Sequence, residues 1–222
     1  MIARALSLAL AFSLMLAGHG RAQEKPNPMR NVGAYSAIDG VEIVDNSPED
    51  PCHLRIVGGD ARRTKADQQQ LWIAAGEHTY QMLIVTPEQI LPGVKQPDDR
   101  TLLAAHAAWE CSDHNQTLHS DQTAKPEFQQ ITGRTWCHWT YDLSPLAKQR
   151  PKEAGEGPGP QTQHLLTTVL GHKIIVLVGT TLVGQKEEAV QAGLVAAAKT
   201  FAVLPQPLTQ PQIEKLCSQK QP

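Results

Sequence analysis

Two runs of aliphatic and β-branched residues, 162–170 and 173–182, dominate the hydrophobic pattern of the chain. A Gly-His pair at 171–172 separates them, and a glycine at the first position of a two-residue turn takes positive φ without strain. Such a turn pairs Leu170 with Lys173, and in that register both faces of the ribbon are largely apolar. Because a strand with one wet face alternates apolar and polar residues, the pattern predicts a central hairpin that is covered on both sides.

An alanine-rich segment at 187–204 follows the hairpin. Its apolar residues recur at spacings of three and four and form one helical stripe: Val190, Leu194, Ala197, Phe201 and Leu204. Small residues flank that stripe and would let the helix approach a sheet closely: Ala189, Ala192, Gly193 and Ala196. Glu187 stands in the first turn, where the helix dipole favours an acid, and Pro205 cannot continue the helix. We expect this helix to lie on the hairpin.

The earlier part of the chain alternates short elements with loops. The predicted elements are strands at 41–44 and 52–57, a hairpin of 71–75 and 79–85 around Gly76, a helix at 100–111 capped by Asp98 or Asp99, a strand at 128–143 and a last helix at 209–217. Polar or proline-rich sequence predicts a flexible arm at 23–39, a solvated helix or loop at 60–70, and irregular segments at 86–99, 113–126 and 144–161. Residues 40–222 are therefore predicted to form a single α+β domain, a mostly antiparallel sheet with helices packed on its faces and a core at about 71–204.

The order of elements after residue 70 resembles a known family. A helix, an aromatic strand, a two-stranded meander around a glycine turn and a closing helix that ends in Phe201-x-x-Leu204 are similar to the PsbP/DcrB-like α/β sandwich, over residues 71–204. The resemblance concerns element order and transfers no catalytic residue. It implies a non-catalytic adaptor, assembly factor or envelope protein.

The first 22 residues have the three parts of a secretory signal peptide. Arg4 gives a basic start, residues 5–17 are apolar, and Gly20-Arg21-Ala22 is a small-x-small cleavage site. The apolar run is shorter than the roughly 20 residues that span a bilayer. No cysteine lies near the cleavage site, so we do not expect a lipid anchor. The sequence predicts export to the periplasm or the medium after cleavage near Ala22.

The net charge and the length of the chain limit the classes of partner and the size of the core. The formal net charge is −2 over 222 residues, and cleavage after Ala22 removes two arginines and makes it −4. A mild negative charge without a basic stripe argues against nucleic acid as a partner. The roughly 200 residues that remain suffice for one core of ordinary size. No phosphate-binding or dinucleotide-binding glycine motif is present in the sequence, and we predict no cofactor.

Four cysteines remain in the exported chain, and an even number of cysteines outside the cytoplasm indicates disulfides. Four cysteines allow three pairings. We favour Cys111–Cys137, which would join a helix end to the next strand, and Cys52–Cys217, which would join the two ends of the domain. The fold is therefore predicted to carry two disulfides.

Zinc binding is the alternative use of the same thiols. Cys111 and His114 have a usable ligand spacing, and His119 and Cys137 follow in the sequence. With one position left open for water, such a site would support a zinc-dependent hydrolase. However, successive strand residues point to opposite faces, so Cys137 and His138 would not both bind one ion without a bulge. Disulfide-bonded cysteines beside surface histidines are the simpler interpretation.

Two segments resemble trypsin-like serine proteases. Residues 55–59, Arg-Ile-Val-Gly-Gly, are similar to the activation site of that family, and the Leu-Ala-Ala-His sequence ending at His106 is similar to the segment with its general base. The chemistry also needs a serine in a glycine-rich turn that forms an oxyanion hole, and no serine after His106 has that context. A strand end and an amphipathic helix explain the two segments better.

Trp136 and His138 are the candidate binding residues. On the predicted strand they alternate with the residues of the core face. If their face is exposed, it would form a partner surface together with the loops at 86–99 and 144–161. If the sheet is covered on both sides, the same residues are buried. The sequence thus favours an exported, non-catalytic binding or adaptor protein that takes a protein or small ligand in the envelope, with a zinc-dependent or other hydrolase as the alternative.

Overall fold

The computed structural model describes residues 28–64, 71–93, 97–145 and 159–220. The strands in these ranges are β1 Val32–Ala37, β2 Gly40–Asp45, β3 Cys52–Val57, β4 Arg62–Arg63, β5 Trp72–Ala75, β6 His78–Val85, β7 Glu127–Ile131, β8 Arg134–Asp142, β9 Pro160–Leu170, β10 Lys173–Leu182 and β11 Ala202–Val203. The helices are α1 Pro87–Ile90, α2 Asp99–Leu118, α3 Glu187–Thr200 and α4 Gln210–Cys217, and a 3-10 helix at Pro28–Asn31 precedes β1. The predicted signal peptide and most of the predicted loop at 144–161 lie outside the described residues.

The strands form two sheets in which every pair is antiparallel. The small sheet has the order β1-β2-β3-β11, and the large sheet has the order β4-β5-β6-β10-β9-β8-β7. One core lies between the small sheet, α3 and one face of the large sheet. A second core lies between α2 and the opposite face of the large sheet. The predicted α+β class with helices on the sheet faces is therefore confirmed, with a second sheet that the sequence did not predict.

The predicted central hairpin is confirmed as β9 and β10. Leu170 pairs with Lys173, and the register continues to Leu166 opposite Leu177. Gly171 has a φ of +54°, the left-handed conformation that the turn requires. One face of the hairpin packs in the α3 core and the other in the α2 core, so both faces are covered. The second hairpin is likewise confirmed as β5 and β6.

Helix α3 lies on the hairpin as predicted, but it ends at Thr200 and not near Pro205. Phe201 is extended, with φ −61° and ψ 125°, and residues 202–203 pair with the start of β3. The pairing adds ladder hydrogen bonds to the edge of the small sheet in place of a last helical turn. The closing segment therefore belongs partly to a sheet.

The predicted small-residue flank of α3 is wrong except at Gly193. Ala189, Ala192 and Ala196 are exposed. A Cβ at Gly193, in contrast, would lie 2.1 Å from the hydroxyl oxygen of Tyr80 on β6. Close approach of helix and sheet therefore depends on this glycine and on Gly179 of β10, where a Cβ would lie 2.5 Å from Cγ1 of Val190 on α3.

The predicted arm and the predicted end of the first long helix are also wrong. Residues 32–37 form strand β1, which pairs along its whole length with β2. Helix α2 continues to Leu118 because its buried face extends through His114 to that residue. It ends where His119 adopts a φ of +50°.

The predicted single strand at 128–143 is a hairpin of β7 and β8. Thr132 and Gly133 have φ of 49° and 77°, which reverses the chain between Ile131 and Arg134. An x-Gly pair between β-rich runs is a hairpin signal that was overlooked in the sequence. Strand β7 is thereby the edge of the large sheet.

Both predicted disulfides are wrong, because all four cysteines are free thiols. Cys52 lies in the core between the two sheets, whereas Cys217 lies on α4, which packs on the outer face of the small sheet. The small sheet therefore separates those two sulfurs. Cys111 and Cys137 share the α2 core, but the Cys111 thiol donates a hydrogen bond to the Gln122 carbonyl at 3.3 Å.

Among the helices of the described residues, none has both the length and the apolar content that crossing a membrane requires.

Candidate functional site

The predicted binding surface around Trp136 and His138 is not exposed. Trp136 is 0% exposed and His138 is 8% exposed. The Trp136 ring packs edge-on against Phe201, with ring centroids 5.7 Å apart. Strand β8 is covered by α2 on one face and by the α3 core on the other, which is the covered alternative that the hairpin pattern indicated. The two residues stabilise the interior and offer no surface to a partner.

The structure also separates the residues of the predicted zinc site. Cys137 is fully buried in the α2 core, whereas His119 is exposed at the end of α2. The Nε2 atom of His114 lies 2.9 Å from Oε1 of Gln163, and its Nδ1 atom lies 2.9 Å from the Glu110 carbonyl. Within the described ranges, no three histidine, cysteine or acidic side chains converge as metal ligands would. The zinc-hydrolase alternative therefore lacks its ligand set.

The polar side chains that do converge lie in an open cleft of about 780 Å³, here called the end cleft. It is formed by the end of β8, the start of β9, the segment after α2 and the first residue of α3. Its lining residues are Gln122, Thr123, Lys125, Thr140, Asp142, Ser144, Gln161, Thr162 and Glu187. Hydroxyl, amide, carboxylate and ammonium groups thus meet in one place.

The wall that follows α2 is held by a hydrogen-bond network. The side chain of Gln122 donates to the Asp142 carbonyl and accepts from the Asp142 amide, both at 2.9 Å. Asn115 binds the backbone of Gln122 twice, through Nδ2 at 2.7 Å and Oδ1 at 3.0 Å. The Tyr141 hydroxyl donates to the same Oδ1 atom at 2.8 Å. Hydrogen bonds of this kind, made by residues behind the lining, hold the polar groups of a site in fixed positions.

The opposite wall begins at the N-terminus of α3. The Thr162 hydroxyl donates to Oε1 of Glu187 at 2.6 Å, and the Thr162 amide donates to the Thr181 hydroxyl at 3.1 Å. Between the walls, the side chains of Lys125 and Thr140 form no hydrogen bond with any described residue. The second carboxylate oxygen of Glu187 is also unbonded within the described residues. These groups are the ones that a ligand can reach.

Two buried histidines adjoin the floor of the end cleft. His164 lies directly opposite Thr140 in the β8–β9 ladder, on the same face, and it stacks on His138 with ring centroids 5.8 Å apart and planes inclined by 15°. Burial lowers the pKa of His138, opposed by the Glu127 carboxylate. Burial and then the neighbouring His138 lower the pKa of His164, opposed by Glu187. Both rings are therefore held in the neutral form at neutral pH.

A second polar cluster serves the architecture. Arg55 is fully buried on the outer face of the small sheet, where its Nε donates to Glu42 at 2.7 Å and its Nη1 donates to Asp39 at 2.5 Å. The same guanidinium donates to the carbonyls of Leu216 and Gln219 at the end of α4, at 2.8 and 2.5 Å. Four of the five N–H donors of this guanidinium bind protein groups and Arg55 is fully buried, so the cluster attaches α4 and is not open to a ligand.

Sequence reasoning missed the residues of the end cleft. The sequence gives Glu187 only the role of a helix-start acid, and it gives Thr140 and Asp142 no role beyond their place in the predicted strand at 128–143. No local motif marks them, because the cleft joins four segments that are distant in the sequence. The prediction that the loop at 144–161 takes part in binding stays untested, although its described ends, Ser144 and Gln161, line the cleft.

No protein-family model matches the chain, and no curated protein is similar enough to match it. Among solved structures, the chain is similar to the solution structure of cyanobacterial PsbP (CyanoP) from Synechocystis sp. PCC 6803, with 14% identity and a TM-score of 0.42 over 85% of this chain and 99% of that one. It is also similar to a crystal structure from Bacteroides thetaiotaomicron VPI-5482, with 10% identity and a TM-score of 0.40 over 74% of this chain. The chain spans about half, 53%, of that second protein. The PsbP-like resemblance of the element order is thus found again in a solved structure, at a level that carries no conclusion about function.

Proposed function

We propose that this protein is a non-catalytic binding protein and that the end cleft is its binding site. The observation that carries the proposal is the contrast within the cleft between fixed and free groups. Hydrogen bonds fix Gln122, Asp142 and Thr162 in the walls, while Lys125 and Thr140 keep their hydrogen-bonding capacity. A concave site with few, well-placed polar groups is the usual form of a ligand pocket.

The chemistry of the lining defines the kind of ligand. Two acidic residues, Asp142 and Glu187, and one lysine, Lys125, line the cleft together with threonine, serine and glutamine residues. Such a set binds donors and acceptors together, and it suits a small hydrophilic ligand or the polar part of a protein partner. Asp142 is engaged by Ser144 through both oxygens, at 2.8 and 2.9 Å, so Glu187 and Lys125 are the charged groups left for the ligand.

Export is part of the same proposal. The basic start, apolar run and small-x-small site of residues 1–22 support cleavage near Ala22. The protein then meets its partner in the periplasm or the medium. An adaptor or inhibitor in that compartment needs a binding site and no turnover.

The proposal is tested by capture from the exporting cell. Tagged protein is recovered with its partners, which are identified by mass spectrometry, and a Lys125→Ala/Glu187→Gln variant is processed in parallel. We expect a partner or ligand on the wild-type protein and a loss of at least about tenfold on the variant, because each removed charge-assisted hydrogen bond contributes about 1.5–3 kcal/mol.

A matched control removes the same charges elsewhere. Lys215 and Glu214 are exposed on α4, which lies on the other sheet, so Lys215→Ala/Glu214→Gln changes the charge equally. The control should retain the partner. Equal capture by wild-type and cleft variant would show that the end cleft is not the binding site.

A further inference from the structure

The stacked histidine pair has no protein acceptor for an additional ring proton. His164 is 2% exposed and neither of its ring nitrogens has a hydrogen-bond partner in the described part of the chain. Nε2 of His138 also has no hydrogen-bond partner among the described residues. A neutral imidazole carries one N–H and a charged one carries two. Protonation of either ring therefore buries a charge beside a parallel ring, without a partner to bind it.

The groups around the pair do not compensate such a charge directly. Glu127 lies opposite His138 in the β7–β8 ladder, and Glu187 approaches His164 from α3. Neither carboxylate forms an ion pair with a ring among the described residues, and Glu187 already accepts a hydrogen bond from Thr162. On the remaining neighbouring strands the paired residues are uncharged, Gly179 opposite His164 and Leu166 opposite His138.

The pair is connected to the end cleft through the strands that carry it. Thr140 is the cross-strand partner of His164, and Thr162 is two residues before His164 on the same strand face. Thr162 in turn holds Glu187 at the start of α3. Thr140 is also two residues before Asp142, whose backbone binds Gln122 in the first wall, so separation of the rings would displace both walls of the cleft.

We propose that the His138–His164 stack is an acid-sensitive contact that controls the end cleft, so that protonation separates the rings and disorders the cleft walls. The effect on binding rests on the proposed function, since it concerns the same site. The sign follows from burial, which lowers the pKa of both histidines in the closed form. In the open form, with the rings separated and solvated, the histidines have the ordinary pKa of about 6.5 and take up protons first as the pH falls. The closed cleft is thus stable above that pH and loses stability below it. The equilibrium constant for closing falls by up to about tenfold for each unit by which the histidine pKa in the closed form lies below that in the open form.

Hydrogen exchange on the purified full chain tests this inference without a ligand. Amide protection factors are compared at about pH 7.5 and about pH 5, on either side of the ordinary histidine value. We expect protection at 140–142, 162–164 and the first turn of α3 to fall by about tenfold or more at the lower pH. The Gly171 end of the same hairpin, which has no histidine pair, serves as the internal reference.

A His138→Leu/His164→Leu variant supplies the control, because it replaces both rings with apolar residues of similar volume. We expect its cleft protection to be independent of pH in this range, and the single variants keep the test valid if the double variant folds poorly. Uniform loss of protection over the whole domain, no change with pH, or an unchanged response in the variant would each overturn the inference. Acid release of a captured partner from the wild-type protein, and retention by the variant, then extends the result to binding. Failure of capture alone contradicts the proposed function and leaves the exchange result standing.

Discussion

At the scale of single residues, Gly193 is the glycine of α3 that lies in close contact with the large sheet. A Cβ at this position would lie 2.1 Å from the Tyr80 hydroxyl oxygen and 2.7 Å from the ring carbon that carries it. Alanine is favoured over glycine by about 1 kcal/mol in an exposed helix, but overpacking of a core costs about 1–3 kcal/mol. We therefore expect Gly193→Ala to lower the free energy of unfolding by about 1–2 kcal/mol, measured by urea denaturation with tryptophan fluorescence.

The Tyr80→Phe background isolates this contact. Phenylalanine lacks the oxygen that the new methyl group would meet first, so Gly193→Ala should cost less in that background than in the wild-type protein. The difference between the two costs is the coupling energy of a double-mutant cycle. Equal costs would show that the hydroxyl group does not set the helix position.

At the scale of elements, α4 is attached by two buried side chains and by a backbone hydrogen bond from the Ile38 amide to the Cys217 carbonyl at 3.0 Å. Ile213 is the only residue of this helix that is buried. Arg55 supplies the other side-chain attachment. Its guanidinium binds the carbonyl of Leu216 in the last turn of α4 and the carbonyl of Gln219 just after the helix, where the helix dipole favours a cation. Glu42, which is 0% exposed, accepts from the same guanidinium through Oε2 and lies 2.6 Å from Nδ1 of His53 through Oε1.

Replacement of this arginine should therefore destabilise the fold and release α4. For Arg55→Met we expect a loss of about 3–5 kcal/mol in the free energy of unfolding, because Glu42 would remain buried with only His53 beside it, at 2.6 Å, and without the guanidinium. Cleavage by trypsin after Lys215, which is exposed on α4, should become faster because the helix detaches. Denaturation curves and a time course of limited proteolysis measure the two effects.

The matched control is Arg62→Met on β4, an exposed arginine whose one hydrogen bond is 3.4 Å long. It should change stability by less than about 0.5 kcal/mol. An Arg55→Met variant with the same stability and the same proteolysis rate as this control would contradict the assigned role of Arg55.

The elements show which parts of the fold a single sequence predicts. The two hairpins around Gly76 and Gly171 and the stripe of α3 as far as Ala197 are predicted correctly, because a turn residue or a local periodicity specifies each of them. Strand β1 was missed because its order depends on pairing with β2 and on no pattern of its own. The same limit applies to Arg55, which is three residues after Cys52 in a strand and finds its partners at both ends of the chain.

The end cleft could not be predicted for a related reason. Glu187 and Thr162 meet only after the hairpin has paired and α3 has packed on it. Trp136 and His138 were the residues that looked functional by type, and the layered packing buries both. Chemical type alone did not distinguish an interior aromatic residue from a surface one, whereas the two-sided apolar pattern did indicate burial.

At the scale of the whole molecule, two cores on opposite faces of one sheet hold the described fold together without covalent cross-links. Each core combines residues from distant parts of the chain, and the α3 core joins both sheets. The two predicted disulfides would have contributed about 3–5 kcal/mol each in the entropic account. Their absence makes the stability of the protein a property of packing, and it should not depend on redox conditions.

The last prediction follows from this independence. We expect dithiothreitol to leave the urea midpoint unchanged, and a thiol reagent to count four free thiols in denaturant. In the native protein Cys217 should react first, since it is partly exposed, whereas burial raises the pKa of Cys52 to about 12 and that of Cys137 to about 11 and so keeps them as unreactive thiols. Cys217→Ser should remove the fast phase of labelling and leave the slow one. Fewer than four thiols in denaturant, or a lower midpoint with reductant, would restore the disulfides that the cysteine count first suggested.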